Sequence, residues 1–247
     1  MRAILNAAGE TGNLFVDSLD EETREHLMPY LTRVSLRQHD VLYEPGATIE
    51  QVLFPSGSVV SVITQMLDGS TVEVGFIGRE GTTGLALALG SRQVAQRALV
   101  QIPDGGMSMS ASDFEVCLAS QPSLERQVLR YAQATIAAIS QFAACNRLHP
   151  VNERFARWLL MAHDRVADDT ITLTHEFLGQ MLGVRHAGVT VAALTLQRLG
   201  VIEYSQGRIL IRNRAGLEGA SCECYLAVER EFTSIMGYSL RKSQRTA

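Results

Sequence analysis

The stretch Thr172–Gly200 reads T-L-T-H-E-F-L-G-Q-M-L-G-V-R-H-A-G-V-T-V-A-A-L-T-L-Q-R-L-G, and its reading decides the fold. Thr174 can cap a short helix by offering its hydroxyl to free backbone N–H groups, with Glu176 placed for the helix dipole. Leu178 and Leu182 stand one turn apart on one face. Gly183 follows, where a chain leaving a helix often needs a left-handed residue. A second helix is predicted from about His186 to Leu199, with Val189, Ala192, Ala193, Leu196 and Leu199 at helical spacing. Gly179 is small where a crossing helix must come close. With Val184 buried in the turn, the pair makes a helix-turn-helix.

The flanks extend this unit. Val201-Ile-Glu-Tyr204 and Arg208-Ile-Leu-Ile211 are apolar runs separated by Ser-Gln-Gly, a predicted hairpin. Ile171-Thr-Leu173 supplies a third short strand ahead of the first helix. Strand, helix, turn, helix, hairpin is the order of a winged helix. From Ile171 to Arg214 five arginines (185, 198, 208, 212 and 214) stand against two glutamates (176 and 203), a net +3 in a chain of net −4. A basic module on an otherwise acidic chain is the electrostatic footprint of a nucleic-acid reader.

The chain has 247 residues, of which 46% are hydrophobic and 19% charged, enough for one large or two ordinary domains with a sizeable core. No apolar run is long enough to cross a bilayer, since Leu85–Leu89 is short and bracketed by Gly84 and Gly90. The N-terminus lacks the basic-then-apolar pattern of a secretory signal, so a cytoplasmic location and no membrane partner are expected. Cys117 and Cys145 fall in apolar helical surroundings, and Cys222-Glu-Cys224 has no second cysteine pair, so free thiols and no metal are expected. The six histidines form no H-x-H or H-x-x-x-H group. A metal-dependent dioxygenase on the strand region would need a His/Glu triad there, and His39 is that region's lone histidine; no enzyme is expected.

Taken in order, Met1–Gly12 reads as a disordered lead-in and Leu14–Leu31 as one or two short helices, with Asp20-Glu21-Glu22 at an N-terminus. From Thr32 to about Met109 the pattern is short strands and turns: Val34–Leu36, Val41–Tyr43, Gln51–Phe54, Val59–Met66, Thr71–Ile77, Arg97–Pro103 and Gly106–Met109. Asp68-Gly69 is a strong hairpin signal. An antiparallel sandwich or roll is predicted; its interior fits either a small ligand or a filled core. Ser112 opens a helix that stops at Pro122, and Ser123 caps a long helix to about Cys145. Leu124, Val128, Tyr131, Thr135, Ala138 and Phe142 form its apolar stripe, widened by Ala132, Ile136 and Ile139. Apolar residues surround most of this helix from Tyr131 to Ala144. The roll accounts for one side; a twin helix from a second subunit, or burial within one, accounts for the other. Asn146–Pro150 is a hinge, Asn152–Val166 another helix, and residues 215–247 a helical tail ending in a basic run.

An N-terminal roll, one long helix, a short hinge and a C-terminal winged helix resemble the Crp/Fnr superfamily of bacterial transcription regulators. The resemblance covers about residues 14–217 and is most specific over Val151–Ile202, where Gly179, Gly183 and the apolar positions fall in register. It implies an α+β chain: a cyclic-nucleotide-binding-domain-like antiparallel β-roll (14–122), a dimerisation helix (123–146), a winged helix-turn-helix (148–217) and a C-terminal tail (218–247). The resemblance also implies a homodimer joined through Tyr131, Thr135, Ile136, Ile139 and Phe142. Its partners would be near-palindromic double-stranded DNA and RNA polymerase. The DNA-binding positions become Thr174, Arg185, His186, Ala187, Gly188 and Thr190, with Arg208 and Arg212 in the wing. Arg185 suits a guanine or a phosphate, and His186 a base acceptor.

The effector positions depart from the family. Where a Gly-Glu pair holds a ribose, this chain has Gly78-Arg79-Glu80, with arginine in place of glutamate. Arg97 aligns with the phosphate arginine, but Ala98 replaces its serine. Ser140 fits one adenine-contacting position while Ile139 replaces its polar neighbour. Each missing partner strands a polar group at roughly 1–3 kcal/mol, so no cyclic nucleotide is expected, nor any resident cofactor. The N-terminal iron–sulfur cysteines of oxygen-sensing relatives are absent too. The reading from another class is a ligand-binding signalling module whose winged helix contacts protein instead of DNA.

Overall fold

The computed structural model describes residue 6 and residues 9–173 and 175–242, apart from the side chains of His175, Glu176 and His186. Two short helices lead in, α1 (Leu14–Asp17) and α2 (Glu21–Leu27), each capped by its preceding residue. Asn13 accepts from the Val16 N–H and Asp20 from that of Thr23. The lead-in before them was expected to be disordered. Its described end is held, because the Thr11 hydroxyl and N–H both bond Asp17 at 2.9 Å.

Seven strands build the roll: β1 (Thr32–Leu36), β2 (Val41–Tyr43), β3 (Gln51–Pro55), β4 (Val59–Gln65), β5 (Thr71–Ile77), β6 (Arg97–Ile102) and β7 (Asp104–Ser110). They form two antiparallel sheets, ordered β1-β7-β3 and β2-β6-β4-β5. β4 and β5 pair across Asp68-Gly69, with Gly69 at φ +82°, as the hairpin signal predicts. A short helix α3 (Leu85–Ala88) follows β5. Helix α4 (Ala111–Ser120) is capped two residues earlier than expected, by Ser110, which accepts from the Asp113 N–H.

The long helix α5 spans Pro122–Leu148. Pro122 starts it at the first position, where the missing N–H costs nothing, and α4 ends just before it as expected, with Gln121 out of helical conformation; Ser123 is no cap. The Ser123 hydroxyl instead donates to Asp20. After His149-Pro150 come α6 (Val151–His163), β8 (Thr170–Thr172), α7 (His175–Leu182), α8 (His186–Arg198), β9 (Ile202–Ser205) and β10 (Arg208–Ile211). Strands β8-β10-β9 form one antiparallel sheet, so the winged helix is present as read. Gly183 takes φ +61°, and a Cβ on Gly179 would sit 3.1 Å from the Val184 carbonyl, which explains both glycines. Val184 itself is half-buried, less enclosed than expected.

The tail is an ordered part of the fold. It forms α9 (Arg214–Ala220) and α10 (Cys224–Met236), and α10 lies along α5 with Tyr225, Val228, Phe232 and Met236 buried. One core runs through α6, the winged helix and the outer faces of β4 and β6; a second fills the roll and takes in Phe232, Met236 and Leu240.

Candidate nucleic-acid interface and effector cavity

Helix α8 turns Val189, Ala192, Ala193 and Leu196 inward and leaves Ala187, Val191, Leu194 and Arg198 outward. Arg185 occupies its N-cap in extended conformation and is exposed. Gly188 is half-buried against Val184, at 3.5 Å for an added Cβ. Thr190 is half-buried beside the wing residues Tyr204–Gly207. The wing turns through Gln206 at φ 49° and Gly207 at φ 76°, the paired left-handed conformation of a tight hairpin. Arg208 is exposed on β10, whereas exposed Arg212 pairs with Glu203 at 2.7 Å. Arg214 is drawn inward to Asp164 at 2.6 Å and Glu218 at 3.1 Å. Of the five basic residues counted in this segment, Arg185, Arg198 and Arg208 thus make no ion pair among the described residues. Thr174 and the His186 side chain lie outside the described residues.

The winged helix rests on its own roll. Trp158 of α6 donates its indole N–H to Glu73 of β5 at 2.8 Å, and Ser61 donates to the same carboxylate at 2.6 Å. Glu73 is buried, and burial pushes its carboxyl up to about 8, against the pull of these two donors. Arg165, just past α6, pairs with buried Glu80 at 2.9 Å and lies over the Phe76 ring. Gln38 donates to the Thr172 carbonyl at 3.3 Å. The tail adds a strap: the Tyr238 hydroxyl donates to the Glu80 carbonyl at 2.9 Å, and the Lys242 N–H to Asp164 at 3.0 Å.

Between these parts lies an apolar cavity of about 260 Å³. The roll contributes Val62, Phe76 and Leu85, α5 contributes Tyr131, Thr135 and Ile139, and α6 contributes Met161. Phe232 and Leu240 close it from the tail. Its polar lining is largely committed. The Tyr43 hydroxyl, pushed up to about 12 by burial, bonds Thr83 at 2.7 Å and the Gln51 carbonyl at 2.5 Å. Glu80 gives Oε1 to Arg165 and the Gly78 N–H, leaving Oε2 without a partner.

The expected effector residues do not converge here. Of Gly78, Arg79, Glu80, Arg97 and Ser140, Glu80 alone lines the cavity. Arg97 pairs with Glu44 at 3.3 Å, half-exposed, and Ser140 is exposed and donates back to the Ile136 carbonyl. The expected dimer residues also divide. Tyr131 and Phe142 are buried in their own chain, and Thr135 bonds the Tyr131 carbonyl beside the cavity. Ile136 and Ile139 are exposed, at 63% and 42%, and Leu129, which the stripe omitted, is 43% exposed.

All four cysteines are free thiols, as expected, but three of them come together. Cys145 and His149, one turn apart at the end of α5, meet Cys222 from the loop ahead of α10 and Cys224 at its first position. The Cys145-x-x-x-His149 spacing is the signal that the search for paired histidines and paired cysteines passed over.

Comparison with known proteins bears on the fold. Residues 153–220 match the family model of the Crp-like helix-turn-helix domain. The structure of FixK2 from Bradyrhizobium japonicum superposes with a TM-score of 0.66 at 18% identity, over 78% of this chain and 98% of that one. A CRP-family transcriptional regulator from Thermus thermophilus gives 0.61 at 17%, over 85% and 98%. The c-di-GMP-responsive global regulator CLP of Xanthomonas campestris gives 0.60 at 14%, over 78% and 99%. No curated protein matches the chain in sequence. The chain therefore carries a Crp-like helix-turn-helix and shares the fold of these structures, a β-roll joined by a long helix to a winged helix. Among the described residues no helix is long and apolar enough to cross a membrane.

Proposed function

We propose that this chain is a homodimeric, sequence-specific DNA-binding transcription regulator that reads a near-palindromic site through α8. The observation that carries this reading is the outward face of the Crp-like unit, where Arg185 at the start of α8 and Arg208 on the wing are both exposed. An arginine at the start of a recognition helix can reach a guanine edge bidentately, and a wing arginine can neutralise phosphate. Dimerisation supplies the second half-site, and the α5 residues that a twin helix would cover are Leu129, Ile136 and Ile139. RNA polymerase is the further partner in this reading, and the cytoplasm its location.

The cavity is where an effector would act, because its walls come from the roll, α5, α6 and the tail together. Its apolar lining favours a small, mostly apolar molecule over a cyclic nucleotide, whose phosphate and ribose would meet few uncommitted polar partners. No cofactor or metal takes part in DNA reading on this account. Binding to duplex DNA as a function of salt tests the proposal. Arg185→Ala should weaken specific binding by about 1–3 kcal/mol, and Arg208→Ala should weaken binding to all sequences and flatten the salt slope. Unchanged affinity and slope in both variants would refute the docking, and would favour a winged helix that contacts protein.

A further inference from the structure

We propose that Cys145, His149, Cys222 and Cys224 bind one zinc ion and that this ion fastens the C-terminal helix to the hinge. The four donor atoms lie within 4.8 Å of one another, and all three cysteines are buried. A tetrahedral ion with bonds of about 2.3 Å to sulfur and about 2.0–2.1 Å to nitrogen sets sulfurs about 3.8 Å apart and sulfur about 3.6 Å from nitrogen. Here Cys145 Sγ and Cys222 Sγ are 3.5 Å apart, and Cys224 Sγ is 3.6 Å from His149 Nδ1. These two separations are already those of one small ion, and the whole set lies within 4.8 Å. An iron–sulfur cluster would divide these ligands between two or four irons and spread the set beyond this reach.

The surroundings are those of a metal site. A ligating histidine usually gives its second ring nitrogen to a carboxylate, which fixes the ring. Glu223, the residue between the two tail cysteines, stands 3.2 Å from His149 Nε2, leaving Nδ1 turned toward Cys224. Gln141 donates to Cys224 Sγ at 3.0 Å. Charge agrees as well. Three thiolates around a divalent ion leave one negative charge, and the guanidinium groups of Arg154 and Arg157 are buried on the first two turns of α6. Neither Arg157 nor its buried neighbour Arg154 has a carboxylate partner among the described residues, and the Nε of each is unpaired. An anionic metal centre gives these two cations a counter-charge that the apolar surroundings lack.

Ions with soft and borderline ligands of this kind, three thiolates and one imidazole, are closed structural sites. The ligands join the last turn of α5 to the start of α10, across the residue that opens the hinge. Zinc thereby holds the tail that supplies Phe232 and Leu240 to the cavity wall. This inference stands apart from DNA binding: the site holds metal whether or not the winged helix reads a base.

The full-length protein, purified reduced and without a metal-binding tag, is analysed for metal content and then reconstituted with Co(II). One zinc per chain is expected, together with the visible bands of tetrahedral cobalt and thiolate-to-cobalt charge transfer. Cys222→Ala and Cys224→Ala should reduce bound metal to background and lower Tm, while Cys117→Ala, outside the set, should retain it. The wild-type stoichiometry and cobalt spectrum decide the matter even if a variant misfolds. Four freely titrating thiols in zinc-treated wild type would overturn the proposal, as would a Cys145–Cys222 disulfide in the reduced preparation or an iron chromophore.

Discussion

Glu73 sets a pH dependence that a surface carboxylate would not. Its carboxyl is held at about 8 because burial between β5 and α6 disfavours the charged form. Unfolding returns it to the ordinary carboxylate range, so the native state binds the proton more tightly. Stability from this group is therefore complete below about pH 4.5 and is lost progressively as pH rises through 8. Thermal melts across this window should show Tm falling toward pH 8 in the wild type and a flatter profile in Glu73→Gln. Equal slopes in the two proteins would mean that Glu73 is ionised in the fold. Single residues were legible in the sequence where the constraint is local. Gly69 and Gly183 announce left-handed backbone, and Gly179 a close approach, because each reads out its own turn. The Glu73–Trp158 bond and the Cys145–Cys222 approach join residues 85 and 77 positions apart, and no periodicity encodes them.

Among the elements, α5 shows where pattern reading stops. Its spacing identified a helix with apolar residues on most sides, but not which side meets which neighbour. Tyr131 and Phe142 are claimed by the roll and by α6, and α10 covers a further flank. What is left for a twin helix is Leu129, Ile136 and Ile139, with Gln133 and Ser140 in the same outward row. Ile136→Glu places a charge against its own symmetry mate in the proposed dimer, costing about 3–5 kcal/mol. Light scattering should report twice the 27.0 kDa chain mass for the wild type and the single mass for the variant. A dimer undisturbed by Ile136→Glu would place the interface elsewhere. The winged helix was more legible than α5 because its strands, turn and two helices pack mainly on one another.

The molecule as a whole is a roll and a winged helix held together by buried polar pairs and by a tail wrapped along α5. Sequence periodicity predicted both domains but not their contact, since Glu80–Arg165 and Tyr238–Glu80 depend on where the tail runs. The same tail closes the cavity, and the effector positions carried over from the family do not meet there. Titration calorimetry with cyclic AMP and cyclic GMP should therefore detect no tight binding; a low-micromolar Kd, about −8 kcal/mol, would show the cavity to hold polar partners beyond those described. The central claim is sequence-specific DNA reading, and selection of bound duplexes from a random pool by the purified protein tests it most directly. Enrichment of a near-palindromic site, with half-sites one helical turn apart and affinity lost in Arg185→Ala, is the predicted result. A pool that stays unenriched after repeated rounds at low salt would contradict it.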